Sequence, residues 1–167
     1  MGILSIVQRA DDGLAALERV LVIALTAAIA CIMMAQVVLR YFFSSPIFWA
    51  EEISVQLLVF TSLFGLSLLT RANELVSIDF LPRALPERKR HALFAALGLV
   101  MFAILVFVAW LSWTWIAQPD VRIELSATTQ LPRWYSYAVL PAAATTMACH
   151  QGAALLRHLA AFAGARS

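Results

Sequence analysis

The fold of this chain is decided by one stretch, VVLRYFFSSPIFWAEE, which occupies residues 37–52. It lies between two long apolar runs, at residues 20–39 and 53–70, and neither run contains an Asp, Glu, Lys or Arg. Pro46 has no backbone N–H to donate, and it restricts the preceding residue to extended conformations. The stretch therefore predicts a tight turn at one face of a membrane, between two spanning helices.

Charged residues flank this turn on both sides. In the hairpin, Arg40 leaves the membrane at the level where Glu51 and Glu52 enter it. Neighbouring positions on a helix point about 100° apart, so the two carboxylates cannot share one site. We expect one of them to pair with Arg40 and the other to face lipid headgroups or a partner. This corner is predicted to hold the protein together.

The composition places the whole chain in a membrane. Of its 167 residues, 62% are hydrophobic and only 13% are charged, with a mean hydropathy of +0.84. Soluble domains carry about a quarter charged residues. Cys31 and Cys149 lie within apolar runs without a CxxC or Cys/His pattern, so we expect them to pack as small apolar residues. An integral membrane protein follows.

Four uncharged runs are long enough to cross or nearly cross a hydrocarbon core of about 30 Å at about 1.5 Å per residue. These predicted spans are residues 20–39, 53–70, 92–119 and 134–156. The fold class is therefore an all-α integral membrane protein: four transmembrane helices in an antiparallel bundle, forming a single domain over residues 1–167. The third run is longer than the core requires, so it should tilt or project beyond it.

Positive charge predicts the orientation. With four spans, both termini and the 71–91 loop share one side, which carries nine Lys and Arg residues against three on the other. The positive-inside rule then puts both termini in the cytoplasm. The tryptophans and tyrosines fall at or toward the opposite ends of the spans, as an interfacial belt. The pattern predicts a multi-pass membrane protein with both termini in the cytoplasm.

Two segments outside the spans are predicted to lie at the membrane surface. Residues 1–19 place Ile3, Val7, Leu14 and Leu17 on roughly one face, which suits a short interfacial helix leading into the first span rather than a cleaved signal peptide. Residues 71–91 suit a re-entering or surface segment followed by a basic cluster facing anionic lipid.

The spans offer little chemistry. His150 is their one ionisable residue, and its position near the cytoplasmic end favours a hydrogen-bonded packing or interface role. Gln36, Gln56 and Gln118 are explained by bonds between helices. No Gly or Pro pair interrupts a span centrally, as a midplane substrate site would require. The expectation is no enzyme, no cofactor, no metal and no nucleic-acid partner.

Several motifs carry a family resemblance. The order Gln36-Val37-Val38-Leu39-Arg40-Tyr41, Pro46, Trp49-Ala50-Glu51-Glu52, then Arg71 and Ile78-Asp79, resembles the small membrane subunit of tripartite ATP-independent periplasmic (TRAP) transporters, the DctQ-like family. Leu131-Pro132-Arg133-Trp134, followed by Tyr137 and Pro141, is similar to that family's entry into its last span. The resemblance covers about residues 15–157.

The resemblance implies a function that the residues alone leave open. Such subunits have no substrate site and brace a large permease subunit, which moves an organic acid with sodium, while a periplasmic solute-binding protein delivers the substrate. Expected partners are these two proteins and membrane lipids. The candidate structural or interface residues are Arg40, Trp49, Glu51, Glu52, Arg71, Asp79, Arg133 and Trp134.

Two other classes remain open from sequence. A stand-alone channel or exporter would need a polar pore stripe, and a membrane redox protein would show a haem or quinone absorbance. On the scaffold interpretation, Arg40→Ala and Trp49→Ala should lower the amount of assembled complex more than they change substrate affinity.

Overall fold

The computed structural model describes residues 3–72 and 87–164, and these residues are almost entirely helical. Four long helices and two short ones follow in chain order: α1 (Ile3–Phe42), α2 (Ala50–Ala72), α3 (Glu87–Ile116), α4 (Pro119–Ile123), α5 (Trp134–Tyr137) and α6 (Val139–Gly164). The predicted all-α class is confirmed for this part of the chain. Residues 73–86, with Asp79 and most of the predicted surface segment, lie outside the described residues.

The first helix differs from its prediction. Residues 3–42 form one continuous helix of 40 residues, so the expected separate surface helix at residues 1–19 is wrong. A helix of this length measures about 60 Å, about twice the thickness of a hydrocarbon core. Charged side chains near its start do not interrupt the backbone hydrogen bonds, and Gly13 alone does not break it. Part of α1 must therefore extend beyond the apolar layer or tilt strongly within it.

Among the described residues, three helices are long and apolar enough to cross a membrane: Ser5–Phe42, Ala50–Ala72 and Leu93–Ile116. The fourth predicted span, residues 134–156, begins as the short α5 and continues as α6, which contains His150 and Gln151. Both side chains are buried within the protein, so α6 needs less apolar surface than a helix facing lipid. Four spans with cytoplasmic termini remain a prediction.

The end of the third span also lies earlier than expected. Helix α3 stops at Ile116 rather than at residue 119. Gln118 is extended (φ −67°, ψ 138°) because it precedes Pro119, which starts α4. The helix therefore ends three residues before the end of the uncharged run at residues 92–119.

The core lies along α6, which packs most extensively on α3 and also contacts α2 and α1. A cluster of buried residues at its centre comprises Leu105, Ala143, Met147 and Ala148. A Cβ at Gly152 would lie 3.1 Å from Cε2 of Phe102, so the absence of a side chain there permits the close approach of α3. Gly152 thus lies on a packing face of α6. Gly65 on α2 does not, since a Cβ there would meet nothing within 4 Å.

The turn between α1 and α2 forms where Pro46 predicted it. Ser44 adopts a left-handed conformation (φ 51°), and the Ser45 amide donates to the Leu39 carbonyl at 3.1 Å. The side chain of Gln36, which is buried, accepts a hydrogen bond from the Ile47 amide at 2.8 Å. Gln36, four residues before Arg40 on α1, therefore bonds to the backbone of the segment that connects α1 to α2.

A short hairpin connects α4 and α5. The Arg133 amide donates to the Glu124 carbonyl and the Ser126 amide donates to the Leu131 carbonyl, both at 2.8 Å. Gln130 supplies the left-handed residue (φ 56°). We call residues 124–133 the connecting hairpin.

Candidate functional site: a buried histidine–carboxylate cluster

The most concentrated chemistry in the described residues surrounds His150. Its ring is fully buried, with Nδ1 2.6 Å from Oδ1 of Asp11 and Nε2 3.0 Å from Oε2 of Glu18. The two carboxylates are themselves only 4% and 2% exposed. The prediction of a hydrogen-bonded packing histidine is confirmed, but its partners lie more than 130 residues away in the sequence.

The geometry fixes a proton count for these three side chains. An ionised carboxylate only accepts hydrogen bonds, whereas a neutral imidazole carries a single N–H. Two ring-to-carboxylate bonds therefore require one more proton, either on the ring or on one of the carboxyl groups. In both cases the trio carries one net negative charge.

Two arginines offset that charge. Nε of Arg71 donates to Oδ2 of Asp11 at 3.0 Å, and a terminal nitrogen of Arg71 also bonds to Asp12. Arg157 places a terminal nitrogen 3.5 Å from Oδ2 of Asp11. We refer to Asp11, Glu18, Arg71, His150 and Arg157 as the ionic cluster.

Hydroxyl groups complete the hydrogen bonding of the second carboxylate. The Ser67 hydroxyl donates to Oε1 of Glu18 at 2.8 Å and lies 3.0 Å from the hydroxyl oxygen of Thr146. Both oxygens of Glu18 are therefore bonded. Together with the ionic cluster, these contacts join α1, α2 and α6 at one end of the bundle.

Sequence spacing explains why these side chains meet. Asp11 and Glu18 are seven residues apart, which is about two helical turns and places them on one face. His150 and Arg157 share the same spacing on α6, and Ser67 and Arg71 lie one turn apart on α2. The matching intervals are visible in the sequence. The predicted surface helix at residues 1–19, however, separates Asp11 and Glu18 from the predicted spans.

The cluster fits a structural clamp better than a reaction centre. Removing one partner of a buried charge pair leaves an uncompensated charge and costs about 3–5 kcal/mol. The two ring nitrogens already contact carboxylates, and the buried Ser67 hydroxyl bonds to Glu18 rather than to the ring. Among residues 3–72 and 87–164, no group of three or more His, Cys, Asp or Glu residues could hold a metal ion.

The predicted corner is only partly as expected. Arg40 lies 4.0 Å from Glu51, and the two side chains are 59% and 73% exposed. Glu52, by contrast, does not face outward. It accepts hydrogen bonds from the hydroxyls of Ser126 and Thr128, and from the Thr128 amide at 2.9 Å. The expectation that the second carboxylate faces lipid headgroups or a partner is corrected: Glu52 holds the connecting hairpin.

The remaining predicted residues occupy separate places. Within the connecting hairpin, a terminal nitrogen of Arg133 lies 2.9 Å from Oε1 of Glu124 and forms an ion pair with it. The Cζ atom of Arg133 lies 5.7 Å from the centre of the Tyr137 ring. Trp134 is 46% exposed, and Trp49 is half-buried at the start of α2. Of the seven predicted site residues that the structure describes, Arg71 alone joins the ionic cluster.

The apolar helices and their buried ionic clamp define a small helical membrane protein of the multi-pass class. The family described as "Tripartite ATP-independent periplasmic transporters, DctQ component" matches residues 29–161. The chain belongs to this family, which is a transporter component and not an enzyme family. Arg71, His150 and Arg157 lie within the matched range, whereas Asp11 and Glu18 precede it.

Individual relatives agree with the family. The chain is 32% identical over 117 residues to the sialic acid TRAP transporter permease protein SiaT of Haemophilus influenzae (strain 86-028NP), a match that covers 70% of this chain and 18% of that protein. It is 32% identical over 73 residues to a putative TRAP transporter small permease protein of Haemophilus influenzae (strain ATCC 51907 / DSM 11121 / KW20 / Rd), covering 44% of each. The matched region thus spans less than half the length of either relative.

Proposed function

We propose that this chain is the small scaffold subunit of a TRAP-type secondary transporter. In this role it supports a large permease subunit during sodium-coupled uptake of an organic acid delivered by a periplasmic solute-binding protein. Family membership supports the TRAP assignment. The match to less than a fifth of SiaT supports a division of labour, because most of that permease is not represented in the matched region.

The ionic cluster is the observation that carries the scaffold role. It joins three helices through the buried side chains of His150, Asp11 and Glu18, whose hydrogen bonds are made to one another and to groups on the neighbouring helices. A moving transport element needs such groups to change partners, whereas a static support needs them to stay paired. The paired buried charges of the described bundle support the second role.

The surface of the bundle suits a protein embedded among lipids and a partner. Large apolar side chains are exposed along α1, α2 and α3, including Ile23, Val55 and Phe107. In water such a surface would favour aggregation, and in a bilayer it can face lipid or another apolar helix. The proposed location is the bacterial inner membrane with both termini in the cytoplasm, as the count of positive residues favours.

Co-purification tests the proposed partnership. The tagged chain is extracted from its native membranes in mild detergent, with the untagged chain as the control, and the bound proteins are identified by mass spectrometry. We expect a large multi-span membrane protein at a fixed ratio to the tagged chain. Recovery of the tagged chain alone, or only with further copies of itself, would contradict the scaffold role.

A further inference from the structure

A cavity of about 650 Å³ lies beside the ionic cluster, between α1 and α2. This volume is within the range of about 300–1,000 Å³ that is usual for small-molecule sites. Its lining includes exposed residues, among them Asp12, Arg19 and Leu69, so the cavity opens to the surface of the protein.

The charges of the lining favour an anion. Three arginines, at 19, 71 and 157, face two aspartates, at 11 and 12, which leaves one net positive charge. Arg71 is held by both aspartates, and Arg157 contacts Asp11 only at 3.5 Å. Within the part of the chain that the structure describes, Arg19 makes no ion pair or side-chain hydrogen bond. Arg19 and Arg157 therefore have N–H groups left for a ligand, in the planar arrangement that suits phosphate oxygens.

Apart from the polar Gln8, the rest of the lining is apolar. Leu68 and Leu69 form part of the wall, and Arg19 immediately precedes the uncharged run at residues 20–39. The lining thus combines charged and apolar side chains in one cavity. A phospholipid has the same combination, with a phosphodiester above its acyl chains, whereas a free anion would have no use for the apolar wall.

We propose that this cavity binds an anionic phospholipid. Arg19 and Arg157 donate to the phosphodiester oxygens, and an acyl chain lies against Leu68 and Leu69. One phosphodiester charge balances the net positive charge of the lining. A lipid held here covers the opening between α1 and α2 next to the ionic cluster.

Gly65 gives a steric way to test the site. It lines the cavity, and a Cβ at this position would meet nothing within 4 Å. A side chain at 65 therefore starts in open space, and we expect the ring of a phenylalanine there to occupy part of the cavity. Gly13 also has open space around its Cβ but does not line the cavity, so Gly13→Phe is the matched control.

Native mass spectrometry of the purified full chain measures the binding. The chain is titrated with phosphatidylglycerol, with the zwitterionic phosphatidylcholine, or with inorganic phosphate. We expect phosphatidylglycerol to bind most tightly, and Arg19→Gln to weaken it about tenfold, the effect of losing one charge-assisted hydrogen bond. Arg122→Gln, an exposed arginine near the connecting hairpin, should leave it unchanged. Gly65→Phe should abolish binding, whereas Gly13→Phe should not.

Three results would overturn the proposal. Equal binding of the two lipids with no effect of Arg19→Gln would show that the arginines do not select a headgroup. Inorganic phosphate displacing phosphatidylglycerol at equal concentration would show a free-anion site without a role for the apolar wall. Unchanged lipid binding in Gly65→Phe would place the lipid elsewhere. Circular dichroism checks the helix content of each variant, and Arg19→Gln tests the site even where Gly65→Phe does not fold.

Discussion

His150 is the residue on which the described bundle depends most. Replacing it with alanine leaves Asp11 and Glu18 buried without the ring that bonds to both. We expect His150→Ala to lower the free energy of unfolding by about 3–5 kcal/mol, as for other broken buried charge pairs. Thermal unfolding in detergent measures the effect.

Cys149 provides the control for that experiment. It is the neighbouring residue on α6 but is exposed, so Cys149→Ala should change stability by less than about 0.5 kcal/mol. If the His150 and Cys149 variants unfolded at the same temperature, the ionic cluster would not stabilise the bundle.

At the corner between α1 and α2, Gln36 should matter more for stability than Arg40. Arg40 and Glu51 are both exposed and 4.0 Å apart, a kind of pair that contributes about 0–1 kcal/mol. Gln36→Ala instead leaves the Ile47 amide without its acceptor, at a cost of about 1–3 kcal/mol. In thermal unfolding, Gln36→Ala should unfold at a lower temperature than Arg40→Ala. A lower unfolding temperature for Arg40→Ala would contradict the structure. An effect of Arg40→Ala on complex assembly remains a separate prediction.

At the scale of elements, the connecting hairpin depends on α2 through Glu52. Glu52→Gln removes the charge that accepts bonds from Ser126 and from the amide and hydroxyl of Thr128. We expect faster hydrogen exchange at the Thr128 amide in this variant. Glu51→Gln, one residue away and facing Arg40, should leave that exchange unchanged. Equal exchange in both variants would show that Glu52 does not hold the hairpin.

The helices themselves were largely predictable, and their long-range contacts were not. Local patterns set the turn at Pro46 and the apolar runs of α2 and α3, because helix length and proline geometry are properties of neighbouring residues. The charged residues at the start of α1 predict a boundary between a surface helix and the first span. The structure has no such boundary, because charged side chains do not break a helix. The pairing of Glu52 with the connecting hairpin spans 74 or more residues, and no local pattern selects it over lipid.

Long sequence separation also makes the ionic cluster hard to predict from local patterns. His150 was recognised as a packing residue from its position, but Asp11 and Glu18 lie 139 and 132 residues from it. Their seven-residue spacing on α1 matches that of His150 and Arg157 on α6. Such a match becomes informative only once α1 is known to continue and to lie beside α6.

At the scale of the whole molecule, side-chain contacts between helices hold the described residues together. Buried charges tie α1, α2 and α6 at one end, close contact at Gly152 joins α3 to α6, and Glu52 ties the connecting hairpin to α2. His150, Asp11 and Glu18 are buried, whereas many large apolar side chains are exposed on the outside of the bundle. A rigid support with an apolar exterior is what a large permease would require from a scaffold subunit.

Reconstitution of the chain alone into liposomes tests this central claim most directly. Uptake of radiolabelled sodium and of radiolabelled sialic acid, the solute named for the relative SiaT, is measured against liposomes without protein. The account predicts uptake equal to the protein-free background for both solutes under an imposed sodium gradient. Uptake of either solute above that background, with no other protein present, would contradict it.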